Sequence, residues 1–118
     1  MPKYFLGIVE AEAPYDEGGE AVFGQVMAAH EAFSTAVKEA GCSVISGEAL
    51  RPAKTATFLR GTRSAEVSTV DNPLPEVKEV FGGYYVIEAP DDETALKVAK
   101  ECPAFFGYIE VRPVWEFN

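Results

Sequence analysis

Histidine is almost missing from this chain, cysteine is scarce, and positive charge is outnumbered: 118 residues include one histidine, two cysteines and 10 basic against 19 acidic side chains. Each shortage excludes something. Two thiols and one imidazole make neither a zinc-binding spacing nor a disulfide framework, so Cys42 and Cys102 read as reduced thiols of a cytoplasmic protein. A net charge of −9 repels phosphate backbones and argues against a nucleic-acid partner. No apolar run approaches the roughly 20 residues of a membrane span, and no membrane partner is expected. A glycine-rich phosphate loop, a Gly-x-Ser-x-Gly elbow and a His-Glu-x-x-His pair are all missing. Nucleotide-driven and zinc chemistry are therefore set aside, and neither a cofactor nor a metal is expected.

What remains is the composition of a folded globule, 47% hydrophobic and 12% aromatic. A chain of this size suits one core and one domain spanning residues 1–118. The apolar run near Met1 is followed by Glu10 and Glu12 where a signal peptide carries small residues, so it reads as a first strand. That strand, residues 3–9, is nearly unbroken in its apolar character, as befits a strand covered on both faces. After a loop at residues 14–19, residues 20–40 place Val22, Val26, Ala29, Phe33, Ala36 and Ala40 in a helical stripe, which Gly41 terminates.

Two strands follow, Cys42–Leu50 and Thr55–Arg60, which are expected to pair as a hairpin across residues 51–54. Ala65–Val70 adds a short third strand before Pro73 and Pro75 break regular structure. In Gly82–Ala89, Tyr85, Ile87 and Ala89 share one face and Tyr84, Val86 and Glu88 the other. Asp91 caps a helix running to about Glu101, and Tyr108–Trp115 is a last strand whose Pro113 points to a sheet edge. The order predicts an α+β, ferredoxin-like split βαβ fold: an antiparallel sheet with two helices on one face. Its other face then calls for a cover, and a second copy of the chain supplies one with closed symmetry.

Within that frame His30 is the one side chain that ordinarily titrates near neutrality, which suits a general acid or base. It shares a helix row with Phe23, Met27, Ser34 and Val37, one step aside from the core stripe. Asp71 is its natural carboxylate partner, although an aspartate before Asn72-Pro73 is equally explained as a turn former. Lys78 and Arg112 suit a substrate carboxylate, the arginine through a bidentate fork, while Glu76 and Glu110 are their competing surface partners. Tyr84, Tyr85 and Trp115 offer rings to a flat ligand or to an interface. Arg51, Lys54, Arg60 and Arg63 fall in one window without a carboxylate, a local anion-attracting surface on an acidic chain.

The run Asp71-Asn72-Pro73-Leu74, followed by Phe81-Gly82-Gly83-Tyr84-Tyr85, resembles the signature loop and strand of the YCII-related, DGPF-type family. Cys102-Pro103-Ala104 and Ile109-Glu110-Val111-Arg112-Pro113-Val114-Trp115 are similar to that family's closing segment. Asn72 stands where the family has glycine and Leu74 where it has phenylalanine. Asparagine tolerates the left-handed backbone a turn needs, whereas leucine lacks the flat ring. The resemblance implies a dimeric α+β barrel with a cleft near the signature loop, in a family that includes proposed small enzymes. The expectation is thus a homodimeric small-molecule-binding protein. His30 and Asp71 would act as an acid–base pair on a small carbonyl or acidic substrate, with Lys78, Arg112 and Tyr85 orienting it. Two alternatives stand beside it: a non-catalytic regulatory or protein-interaction module, and a cofactor-independent monooxygenase with a deep apolar cavity.

Overall fold

Strand β1 (Lys3–Glu10) lies at the centre of a sheet in the computed structural model, which describes residues 1–71 and 79–117. Helix α1 (Ala13–Glu39), β2 (Ser43–Ala49), β3 (Thr57–Arg60), β4 (Ser68–Asp71), β5 (Val80–Glu88), α2 (Asp92–Ala99) and β6 (Gly107–Pro113) follow in chain order. The four-stranded sheet has the order β2-β5-β1-β6, with every pairing antiparallel. This is the ferredoxin-like α+β arrangement, with two helices against the sheet.

The alternation of β1 decides which face is covered. Tyr4, Leu6 and Ile8 are buried under the helices with Phe33 and Val37 of α1, Ile87 of β5, and Ala95, Val98 and Ala99 of α2. Val37, placed by the sequence pattern in the histidine row, belongs to this core at 1% exposure. Phe5 points to the other face, where its ring lies 6.0 Å from Tyr84 and 6.2 Å from Phe81. Among the described residues no helix covers that side, and Phe81 is half exposed.

The caps follow local chemistry. Asp91 accepts the Thr94 backbone N–H at 2.7 Å at the start of α2, satisfying one of the helix's orphan donors. Gly41 takes a positive φ of 75° just past α1, a backbone region open to glycine. Cys42 and Cys102 are both buried and free.

Two expectations are corrected. Residues 14–18 are helical rather than a loop, because Pro14 fits the first turn of α1, and only Gly19 (φ 58°) leaves helical geometry, as a kink. The expected β2–β3 hairpin does not form. Pro52 and a single 3-10 turn at Ala53–Thr55 turn the chain away from β2. β2 pairs with β5, and β3 pairs with β4 in a separate two-stranded sheet. None of the described helices is long and apolar enough to cross a membrane.

Candidate functional site

His30 and Tyr85 meet beneath the middle of α1. Tyr85 sits opposite Leu6 on β1 and opposite Gly47 on β2, so its ring rises from the helix-covered side of the sheet. Phe33, three residues along α1 from His30, packs against that ring at 4.8 Å. Gly47 leaves room for it: a Cβ there would stand 2.7 Å from Tyr85 Cδ1. The phenol oxygen then reaches His30 Nδ1 at 2.6 Å.

Burial favours the neutral form of both groups. Burial lowers the His30 pKa from its ordinary value, with the nearby Glu10 carboxylate partly offsetting this. Burial also raises the Tyr85 phenol, and the Cys102 thiol adds to the effect. A protonated phenol beside a neutral imidazole is satisfied when Tyr85 O–H donates to Nδ1, which leaves the ring proton on Nε2. Such a ring can give a proton at Nε2 while taking one at Nδ1.

The pair lines a cavity of about 710 Å³ whose walls include Phe23, Val26 and Met27 of α1, Tyr15 from its first turns, and Leu50. The volume lies within the range of small-molecule sites. The kink at Gly19 matters here, because the helical turn before it brings Tyr15 against Phe106 and lets its hydroxyl donate to Glu10 at 2.8 Å. Burial followed by that hydrogen bond raises the Tyr15 phenol well above its usual range. Glu10 also accepts the Phe106 N–H at 3.2 Å, and Glu12 accepts the Ala53 N–H at 3.0 Å. These carboxylates tie the backbone at Phe106 and Ala53 to the end of β1 and the start of α1, and Lys54 contributes a basic side chain to the cavity wall.

The other expected site residues lie elsewhere. Asp71 is exposed at the end of β4, where its carboxylate accepts the Thr57 hydroxyl at 3.1 Å, and it is not among the described residues lining the cavity. Arg112 pairs in register with Phe5, which puts it on the uncovered face. There it bonds Glu110 and lines a second, shallower hollow of about 490 Å³ with Phe5, Val9 and Phe81. Lys78 lies outside the described residues. Tyr85 and His30 are therefore the two expected site residues that the fold brings together.

Sequence reasoning missed Glu10, Glu12, Tyr15 and Lys54 as residues lining the same cavity as His30. One signal for the His30–Tyr85 contact was present. Tyr85 shares its strand face with Ile87 and Ala89, and a tyrosine on a buried face needs a partner for its hydroxyl. Among the described residues no cluster of three or more histidine, cysteine or carboxylate side chains could hold a metal ion. No curated protein matches the sequence. Residues 9–118 match the YCII-related domain, and the chain belongs to the YCII-related family.

Proposed function

We propose that the chain is a homodimeric small-molecule-binding protein in which His30 and Tyr85 form the acid–base pair acting on a small carbonyl-containing ligand. The supporting observation is the 2.6 Å contact between two titratable side chains in the wall of a cavity of ligand size. A neutral imidazole with its proton on Nε2 is suited to donate to a carbonyl oxygen as that oxygen gains charge. In this reading Tyr85 replaces Asp71 as the group that sets the tautomer of His30. Of the two substrate classes the sequence suggested, the carbonyl is better supported than the acid. Arg112 faces the other side of the sheet, and Glu10, Glu12 and Asp16 line the cavity with Lys54.

The homodimer is supported by the uncovered face carrying Phe5, Phe81 and Val9, which a second sheet would bury. A non-catalytic interaction module is the second reading, supported by the exposed β3–β4 segment.

The test is a thermal-shift screen of small aldehydes, ketones and matched alcohols against wild type and His30→Ala, followed by titration calorimetry of any hit. Carbonyl compounds should stabilise wild type, and the variant should lose that affinity while its partner contacts stay intact. Equal binding by both proteins would refute the assignment of His30.

A further inference from the structure

The cavity that holds His30 and Tyr85 is much larger than a carbonyl group needs. Its volume is about 710 Å³, whereas one water molecule takes up about 30 Å³ in the liquid. Part of its wall is ordinary core, since Ile8 of β1 and Val26 of α1 are buried there. The rest of the apolar wall is open to solvent, with Phe23 at 62%, Met27 at 48% and Leu50 at 47% exposure. Large apolar side chains left exposed around a concave site are a feature of ligand-binding grooves. Helix geometry gives this groove a direction. Phe23, Met27 and His30 stand four and then three positions apart in the part of α1 beyond the Gly19 kink, so they share one face of the helix. At the usual rise of an α-helix the row from Phe23 to His30 is about 10 Å long. A ligand whose carbonyl meets His30 has room to continue along Met27 and Phe23, with Leu50 on the opposite wall.

The charged side chains of the wall restrict what that ligand carries. Among the described residues the cavity is lined by four carboxylates, Glu10, Glu12, Asp16 and Glu48, against one ammonium, Lys54. Their field opposes an anionic ligand. Glu10 and Glu12 are already occupied by the Tyr15 hydroxyl and by the Phe106 and Ala53 N–H groups. None of the four is buried, so none replaces the hydration that a cation would give up on entry. An uncharged ligand meets neither penalty.

We infer that this site takes an uncharged ketone or aldehyde with an extended apolar chain, the carbonyl at the His30–Tyr85 pair and the chain along Met27 and Phe23 against Leu50. The inference rests on the acid–base reading above and adds the class of molecule to it. The chain supplies affinity by covering the exposed apolar wall, and the flexible thioether of Met27 adapts to its shape. The carbonyl supplies the orientation.

Titration calorimetry of the full chain tests this with methyl ketones carrying propyl, pentyl and heptyl chains, beside the secondary alcohols and carboxylates of matching length. NMR of the single histidine reports occupancy at His30. Expected are ketone affinities that rise about threefold to fourfold per added methylene, alcohols weaker than ketones, carboxylates weaker by about tenfold, and a displaced His30 resonance with each bound ketone. Phe23→Ser and Met27→Gln should each flatten the dependence on chain length. Both positions are exposed, far-UV circular dichroism checks that the variants are folded, and the two substitutions are read independently. Ketones that bind equally at every chain length while displacing the His30 resonance overturn the apolar chain and leave the acid–base reading standing. Chain-dependent binding that is equal for ketones and alcohols and unaltered in His30→Ala overturns the acid–base reading and the carbonyl end of the ligand with it. A chain-length dependence unaltered in both wall variants overturns the groove along Phe23 and Met27, and tighter binding of the carboxylates overturns the uncharged class. Absence of binding by every compound overturns the whole assignment.

Discussion

Replacing Tyr85 by phenylalanine removes one hydroxyl and keeps the ring that packs on Phe33 at 4.8 Å. His30 Nδ1 then loses its 2.6 Å partner while the imidazole stays half-buried. An ordinary hydrogen bond contributes about 1 kcal/mol net, and a buried group left unpaired costs about 1–3 kcal/mol. Water reaches part of the His30 ring, so the expected loss is at the lower end, about 1–1.5 kcal/mol. Unfolding entropy of about 2.1 cal/mol/K per residue over 118 residues converts this to a fall in melting temperature of about 4–6 °C. Scanning calorimetry reads that fall, and a double-mutant cycle with His30→Ala should return a coupling of about 1 kcal/mol between the two side chains. The second readout is the imidazole titration by NMR, which is unambiguous because His30 is the single histidine. Donation from the phenol favours the neutral ring, so Tyr85→Phe should move the His30 pKa upward. An unchanged melting temperature together with an unchanged titration would show that the two groups are not hydrogen-bonded.

Three further outcomes are expected. Burial holds the His30 pKa below the ordinary 6.5 in the folded state, so the unfolded chain takes up the proton first. Stability should be level above that value and decline as pH falls through it. His30→Asn should flatten that segment of the melting curve, and a wild type that gained stability between pH 7 and 5.5 would contradict the sign. Gly47→Ala places a methyl group 2.7 Å from Tyr85 Cδ1 and 2.8 Å from the Tyr84 carbonyl oxygen. It should displace the phenol, shift the His30 resonances and lower the melting temperature, whereas unchanged spectra would show that the ring is not confined there. Phe33→Ala empties a fully buried position between α1 and the sheet and should cost about 3–5 kcal/mol in urea unfolding. A loss below 1 kcal/mol would place Phe33 outside the core.

Most of the secondary structure was legible because its causes are local. The apolar run of β1, the alternation of Tyr85, Ile87 and Ala89, the Asp91 cap and the Gly41 stop each depend on a few neighbouring residues. The helix at residues 14–18 was missed because Pro14 and the Gly18-Gly19 pair carry loop signals as well. A proline in a first helical turn and a glycine at a kink use the same residues for the opposite purpose.

The candidate site was legible only as residue types. That His30 deserved a role followed from its being alone of its kind. That its partner is Tyr85, 55 positions away, depended on how the β1–β5 and β2–β5 registers aim the strand beneath the helix. The same kind of decision separated Arg112 from His30. A pairing register with period two assigns each side chain to one face, and opposite Phe5 the arginine falls on the uncovered side. The sequence by itself determined most of the elements, the fold class and the net acidic charge. Tertiary structure alone decided which strands pair and which residues share a cavity, because those outcomes depend on contacts between segments far apart in the chain.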